Sequence, residues 1–383
     1  METRILIHVQ HLLGTGHLRR AVAIGRVLAE AGHEVEIASG GPPLTDLDTG
    51  AARLFQLPPM RAIDAGFKSF VDENGDGIDA AWKERRRDIL LARLAALSPD
   101  VLITELFPFG RRQLAFELLP LLAAARALTP RPLILSSLRD ILVAPLDTAK
   151  VEAAVERARG YDRILVHGDP ALIDLPASYP AARRLNDRLA YTGYIASPAC
   201  PDPPPGDGSG EIIVSTGGGA VGARLLEAAL EARALLDTSH RWRLLLGPDL
   251  PAATRTGLLA RQEPGLIVEP ARRDFPELLR RCHVSVSQAG YNTVMDILQA
   301  KTRAVLVPFA AGGETEQPLR AAALATRGWA VTVSEASLDA ASLAAAITRA
   351  ATGQPPDVAS LRCDGATETA RLIARWLNER RAA

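Results

Sequence analysis

The chain has 383 residues, 48% of them hydrophobic, which exceeds what one ordinary core holds and predicts two domains. Lysine plus arginine (44) balances aspartate plus glutamate (44), so a net charge of zero excludes a global attraction to nucleic acid or to an anionic membrane. Cys200, Cys282 and Cys363 are spaced for neither a disulfide framework nor a zinc site, which points to the reducing cytoplasm.

Strand-like and helix-like patterns alternate from the start. Ile5–Val9 reads as a short buried strand, so no signal peptide is expected. Leu18, Ala21, Val22, Gly25, Leu28 and Ala29 recur at helical spacing, and Gly32 closes that helix. Val35–Ala38, Val101–Thr104, Leu133–Ser136 and Arg163–Val166 are the next strand candidates. Pro198 to Gly210, P-A-C-P-D-P-P-P-G-D-G-S-G, leaves no room for a packed element and reads as a linker. Alternation restarts with Ile212–Ser215, Trp242–Leu246, Leu266–Val268, Val284–Ser287, Ala304–Val307 and Ala330–Val333. No apolar run reaches the roughly 20 residues that cross a bilayer.

The pattern predicts an α/β chain of two Rossmann-like domains, residues 1–197 and 211–365, whose parallel sheets face a central cleft. A final helix within 366–383, about Glu368 to Arg380, is a candidate to pack back on the first domain.

Glycine-rich turns follow several strands. Gln10-His11-Leu12-Leu13-Gly14-Thr15-Gly16-His17-Leu18-Arg19 offers backbone N–H groups to an anion at a helix start. Arg19 stands where a dinucleotide fingerprint needs its third glycine, which disfavours an oxidoreductase. Ser215-Thr216-Gly217-Gly218-Gly219 repeats the logic more strongly, because three glycines let a backbone approach a pyrophosphate. There is no G-x-x-x-x-G-K-[ST] motif. Ser287-Gln288-Ala289-Gly290-Tyr291-Asn292-Thr293-Val294-Met295-Asp296 is a third such turn, with Asp296 placed to accept hydrogen bonds from ribose hydroxyls. Val305 to Phe309 then leads to a loop ending Gly312-Gly313-Glu314-Thr315-Glu316-Gln317, an acid and an amide at another helix start. Each turn alone has a plainer reading as a tight turn or hinge, and Asp296 as a solvated helix acid. Three polar turns at successive strand ends are hard to explain as packing.

The string S-Q-A-G-Y-N-T-V-M-D, followed by V-L-V-P-F and a loop ending E-Q, resembles the donor half of glycosyltransferase family 28. G-T-G-H with its helix L-R-R-A-V-A-I-G-R-V-L-A-E-A-G-H-E-V resembles the acceptor half. The likeness runs nearly the whole chain in motif order and is closer still to predicted glycosyltransferases related to MurG. It implies a GT-B fold, a UDP-sugar donor and inverting chemistry without a metal or other cofactor. The acceptor is left open, as a carbohydrate or a lipid-linked molecule. Departures concern a less glycine-rich first loop, Asp296 in place of a glutamate, and Glu316-Gln317 in place of paired glutamines.

Glycosyl transfer needs a base for the acceptor hydroxyl and compensation for the leaving diphosphate. His17 is the candidate base, His11 its rival in the same loop, and Glu105 the acid that orients the imidazole. Thr216, Gly217, Gly218, Gly219, Gly290, Asn292, Asp296, Glu316 and Gln317 are assigned to the donor. Gly14, Thr15, Gly16 and Arg139 are assigned to the acceptor or the diphosphate, although Arg139 with Asp140 reads equally as a local ion pair.

Asp46-Leu47-Asp48 matches a metal-binding D-x-D but falls in the half opposite the donor. Asp72-Glu73-Asn74-Gly75-Asp76-Gly77 opens like a calcium loop, yet Lys83 occupies the twelfth position where glutamate is required. Leu106 to Arg112 is apolar beside two arginines and reads first as a packed loop, second as a peripheral contact with the inner face of a membrane. Two further function classes stay open: a GT-B hydrolase or epimerase that cleaves a nucleotide sugar without an acceptor, and a non-catalytic nucleotide-sugar-binding protein.

Overall fold

The computed structural model describes residues 3–12, 14–44, 47–63, 69–196, 205–216, 222–236, 239–248 and 250–382. The chain divides into two compact units, Met1–Ile195 with Arg362–Ala383, and Ala196–Leu361.

Unit 1 is built on the strands β1 (Arg4–Val9), β2 (Glu34–Ser39), β3 (Arg53–Gln56), β6 (Val101–Glu105), β7 (Leu133–Arg139), β8 (Arg163–His167) and β9 (Leu189–Tyr191). The two-residue strands β4 (Arg61–Ala62) and β5 (Phe70–Val71) form a separate antiparallel pair. All seven main strands are parallel, in the order β3-β2-β1-β6-β7-β8-β9. The inner strands are near-continuous apolar runs because helices cover both faces. On one face the helix Gly16–Glu30 buries Leu18, Ala21, Val22, Ile24 and Leu28 together with Leu372, Ile373 and Trp376 of the last helix, Gly365–Ala382. A methyl group on Gly25 would meet Ile37 Cδ1 at 2.9 Å, so glycine lets that first helix lie close on β2. On the other face Trp82, Leu90 and Leu94 of Ala80–Leu97 pack with Leu118, Leu121 and Leu122 of Ala115–Ala127.

Unit 2 repeats the plan with β10 (Ile212–Ser215), β11 (Trp242–Leu246), β12 (Leu266–Pro270), β13 (Val284–Ser287), β14 (Ala304–Leu306) and β15 (Val331–Thr332). Their order is β12-β11-β10-β13-β14-β15, and all are parallel. No helix among the described residues is long and apolar enough to cross a membrane.

Each sheet winds outward from its first strand, then restarts on the opposite side. The direction therefore reverses between β1 and β6 in unit 1 and between β10 and β13 in unit 2. At such a switch point the two neighbouring β–α connections leave in opposite directions and open a crevice at the carboxyl ends of the strands. Of the main-sheet strands, β3 and β9 lie outside the sequence expectation; they are edge strands whose residues are mostly half-buried or exposed, so no apolar run marks them. The expected strands at Val101, Leu133 and Arg163 each run further, taking in Glu105, Arg139 and His167.

Trp376 is 3% exposed between the last helix and the sheet. Trp376→Ala is expected to cost about 3–5 kcal/mol of unfolding free energy, measured by denaturant titration. A change below about 1 kcal/mol would show that the last helix adds little to the unit 1 core.

Candidate active site

Glu105 ends β6 and points to the face covered by the first helix, continuing the row of Ile103 past the apolar core. His17 and Arg20 stand one turn apart on that helix and so face the same way. His17 Nδ1 lies 2.9 Å from Glu105 Oε1, and Arg20 Nη2 donates to the same oxygen. Ser137 Oγ, from the register neighbour in β7, donates to Oε2 at 2.5 Å. A carboxylate only accepts, so the imidazole proton sits on Nδ1 and Nε2 is bare. Arg20 Nη2 is also 3.1 Å from Nδ1. Two donors cannot bond, so Arg20 acts on the ring through its charge and disfavours the imidazolium.

Burial opposes the charge of Glu105, but Arg20, His17 and Ser137 outweigh it and hold the carboxyl well below its ordinary range. Burial pushes His17 down to about 3 against the pull of the Glu105 hydrogen bond, and the charges of Arg111 and Arg20 add to the depression. Its side chain keeps 14% of its surface accessible. Arg111 is lowered to about 10, first by burial and then by the nearby Arg139. The backbone turns sharply just beyond Glu105, where Leu106 takes φ 66°. Left-handed conformations of this kind in non-glycine residues cost of order 1–3 kcal/mol and gather at functional sites.

The loop after β1 is fixed from the opposite face. Arg86, wholly buried, donates to Glu117 Oε2 at 2.7 Å, Gln10 Oε1 at 2.6 Å and the carbonyls of Gly40 and Pro58 at 3.0 and 2.9 Å. His8 Nε2 meets Glu117 Oε1 at 3.2 Å. Gln10 in turn donates to the carbonyls of His11 and Met60. His11 is 4% exposed and packed on Gly41, whose added methyl would meet the ring at 2.4 Å. Gly14, with φ 67°, precedes Thr15 at the cap of the first helix, and neither Thr15 nor an acid caps that end. Thr15 Oγ1 instead accepts from Arg19 Nε at 3.2 Å. Arg139, half-buried, closes β7 on the same sheet edge.

In unit 2 the turn Ala289–Tyr291 follows β13 at the switch point. Gln317 Oε1 accepts from the amides of Ala289 at 3.1 Å and Phe309 at 3.0 Å, tying this turn to the loop after β14. Arg320, fully buried, donates to the carbonyl of Ala289 at 2.9 Å and to Glu316 Oε1 at 2.9 Å, with its guanidinium 5.5 Å from the centre of the Tyr291 ring. Glu316 and Gln317 thus brace the turn. Gly290 caps the helix Tyr291–Ala300 with no side-chain bond and no acid in the first turn, so the N–H dipoles there favour an anion. Gly290 has φ −64°, which any residue adopts, and none of the described residues lies within 4 Å of a methyl group built on it. Asn292 is exposed in the first turn and Asp296 half-buried further along. Thr216 is buried, and its Oγ1 accepts from the amide of Gly247 at 3.3 Å. Gly222, with φ 137°, returns against Thr216, where a methyl group would meet the threonine side chain at 2.6 Å. Gly217, Gly218 and Gly219 lie outside the described residues.

A hollow of about 710 Å³, lined by residues such as Asp207, Glu211 and His240, lies at the amino ends of β10 and β11. That edge is opposite the one at which open α/β sheets bind ligands. Of the remaining sequence motifs, Asp46 lies outside the described residues, and Asp48 pairs with Arg26 at 3.0 Å. Asp72 Oδ1 accepts from the amides of Asn74 and Asp76, both at 2.9 Å, as a self-contained turn. Leu106, Phe107 and Phe109 are buried in the unit 1 cores, which leaves none of these side chains for a lipid headgroup.

Residues 212–371 match the glycosyltransferase family 28 C-terminal domain. The matched stretch contains every residue assigned to the donor from sequence. Two curated relatives are both named UDP-N-acetylglucosamine--N-acetylmuramyl-(pentapeptide) pyrophosphoryl-undecaprenol N-acetylglucosamine transferase. That of Rhizobium johnstonii is 30% identical over 208 residues, 52% of this chain and 54% of the relative. That of Rhodospirillum centenum is 32% identical over 180 residues, 45% of this chain and 46% of the relative. The chain thus spans about half the length of the curated relatives it matches. Its fold is similar to that of the glycotransferase of kitacinnamycin, with a TM-score of 0.65 at 19% identity over 98% of this chain and 99% of that one. Acinetobacter baumannii MurG gives a TM-score of 0.62 at 16% identity over 97% and 99%. The architecture is therefore GT-B.

Sequence reasoning missed Arg20, Ser137, His167 and Arg111. Arg20 carried a usable signal, since it lies three residues beyond His17 on a predicted helix. Ser137 and His167 carried a fainter one, as polar residues interrupting strands otherwise buried.

His17 and His167 both titrate below the ordinary 6.5, each down to about 3, chiefly through burial. The unfolded chain therefore binds these protons more readily, and the folded state loses stability as pH falls from about 6.5 toward 3. At pH 5 the loss is on the order of 2 kcal/mol per histidine. Denaturant midpoints at pH 7 and pH 5 measure it, and His167→Gln should shrink the difference; equal midpoints would show these rings to be ordinary.

Proposed function

We propose that the chain is an inverting, metal-independent glycosyltransferase that moves a hexosyl group from a UDP-sugar to a hydroxyl of a carbohydrate or lipid-linked acceptor. The observation that carries this reading is the His17–Glu105 pair at one switch point of a chain whose other switch point lies in a family 28 domain. N-acetylglucosamine is the first sugar to test, given the names of the curated relatives.

His17 Nε2 takes the proton of the acceptor hydroxyl while that oxygen attacks the anomeric carbon. The bond from that carbon to the phosphate oxygen breaks, and its electron pair leaves with the diphosphate. Attack opposite the leaving group inverts the configuration. The new imidazolium is stabilised by Glu105, and negative charge on bound substrate offsets Arg20 and Arg111, which otherwise oppose protonation. The diphosphate is received by Thr216, Gly217, Gly218 and Gly219 and by the helix end at Gly290 and Asn292. Asp296 accepts from the ribose. Glu316 and Gln317 serve the donor by holding the Ala289–Tyr291 turn. Gly14, Thr15, Gly16 and Arg139 meet the acceptor or an anionic group it carries. A lipid-linked acceptor would place the reaction at the inner face of the membrane.

His17→Ala should lower turnover about a hundredfold or more while changing donor affinity less than about twofold. Unchanged turnover removes His17 from the mechanism. Donor consumed equally with and without acceptor would favour a hydrolase or epimerase, and binding without turnover a nucleotide-sugar-binding protein. Gly290→Ala tests the donor site separately: UDP affinity by calorimetry should fall about tenfold or more with Tm within about 3 °C of the parent. Undiminished UDP binding would take that helix end out of the site.

A further inference from the structure

The polar row on the sheet edge does not stop at Glu105. Ser137 is its register neighbour in β7, and His167 ends β8 on the same face, two residues beyond the position opposite Ser137. Both are at most 1% exposed. Ser137 Oγ lies 2.5 Å from Glu105 Oε2 and 2.9 Å from His167 Nε2. His167 Nδ1 lies 2.9 Å from Thr192 Oγ1, which also reaches the carbonyl of Gly193 at 2.8 Å.

The ionised Glu105 sets the order of the protons in this chain. Glu105 is ionised and can only accept, so the Ser137 hydroxyl hydrogen points at Oε2. The serine oxygen must then accept from His167, which places the His167 proton on Nε2. His167 Nδ1 is left to accept the single Thr192 hydrogen, which in the opposite tautomer goes to the Gly193 carbonyl instead. The opposite tautomer would claim the Ser137 hydrogen and strip a donor from Glu105. Burial holds His167 neutral, so the ring exists in one of these two tautomers and the network selects the Nε2–H form.

We infer that Ser137 and His167 are positioning residues for the proposed base: they fix the Glu105 carboxylate so that His17 carries its proton on Nδ1 and keeps Nε2 bare. Arg20 supplies Glu105 with charge but binds the oxygen shared with His17, whereas Ser137 holds the other oxygen and thereby sets the plane of the carboxylate. A buried histidine that merely satisfied its neighbours would leave His17 unaffected when replaced. This inference rests on the reading of His17 as the base, and one of its readouts needs no activity.

The test is histidine ¹⁵N NMR on the full-length protein together with turnover on a UDP-sugar. In the parent, His17 should show a protonated Nδ1 and a bare Nε2. Ser137→Ala and His167→Phe should each produce a mixture of His17 tautomers and lower kcat about tenfold, with little change in donor KM. His167→Gln, which keeps a donor toward Ser137, should stay within about threefold of the parent. If His167→Phe does not fold, Ser137→Ala, which deletes one hydroxyl, decides. Folded variants with an unaltered His17 tautomer overturn the inference, whatever the activity. An altered tautomer with His17→Ala fully active would instead uphold the relay and defeat the base assignment.

Discussion

The carboxylate of Glu105 is almost wholly withdrawn from water, and an ionised group so placed persists only where neighbours replace the solvation it has lost. Two elements do so for an acid carried on a third. The first helix brings Arg20 and His17, β7 brings Ser137, and β6 carries the acid itself. The demand works both ways, because the acid also fixes which nitrogen of His17 holds the proton. Helix placement, strand register and imidazole tautomer at this edge all answer to one buried charge.

Unit 2 meets a different requirement with similar means. A helix end that is to receive an anion must be left without a cap, yet an uncapped end frays. Here the bracing comes from the neighbouring helix Glu316–Thr326. Arg320 grips the carbonyl of Ala289, Glu316 compensates the arginine, and Gln317 spans two loops with one oxygen. The turn is held from behind, and no side chain caps the helix end at Gly290.

Much of this was legible in the residues alone. The alternation of apolar runs with helical stripes gave the α/β class, and the central strands were found because both faces are covered. The edge strands of unit 1 were not, since Arg53–Gln56 and Leu189–Tyr191 are read from hydrogen bonds to a single neighbour rather than from an apolar run. Glycine turns and the His17–Glu105 pairing were visible as types of residue at strand ends. Which neighbours complete them was not, because Ser137 and His167 join Glu105 through the lateral register of three strands, a relation that no local spacing encodes. Glu316 and Gln317 were assigned to the donor from their place at a helix start, and the hydrogen bonds by which they also brace the Ala289–Tyr291 turn are visible only in the tertiary structure.

The route of the chain has a bearing on how it is made. Unit 1 is interrupted: its polypeptide leaves after Ile195 and rejoins at Arg362, where the Tyr194 amide donates to the Arg362 carbonyl at 2.7 Å and Asp169 accepts from the Arg362 amide at 3.1 Å. On the ribosome, the apolar face that awaits Leu372, Ile373 and Trp376 stays uncovered while unit 2, an unbroken stretch, emerges and folds. The nascent chain thus holds an open hydrophobic surface for the time needed to translate an entire domain, and chaperone demand should concentrate in that interval.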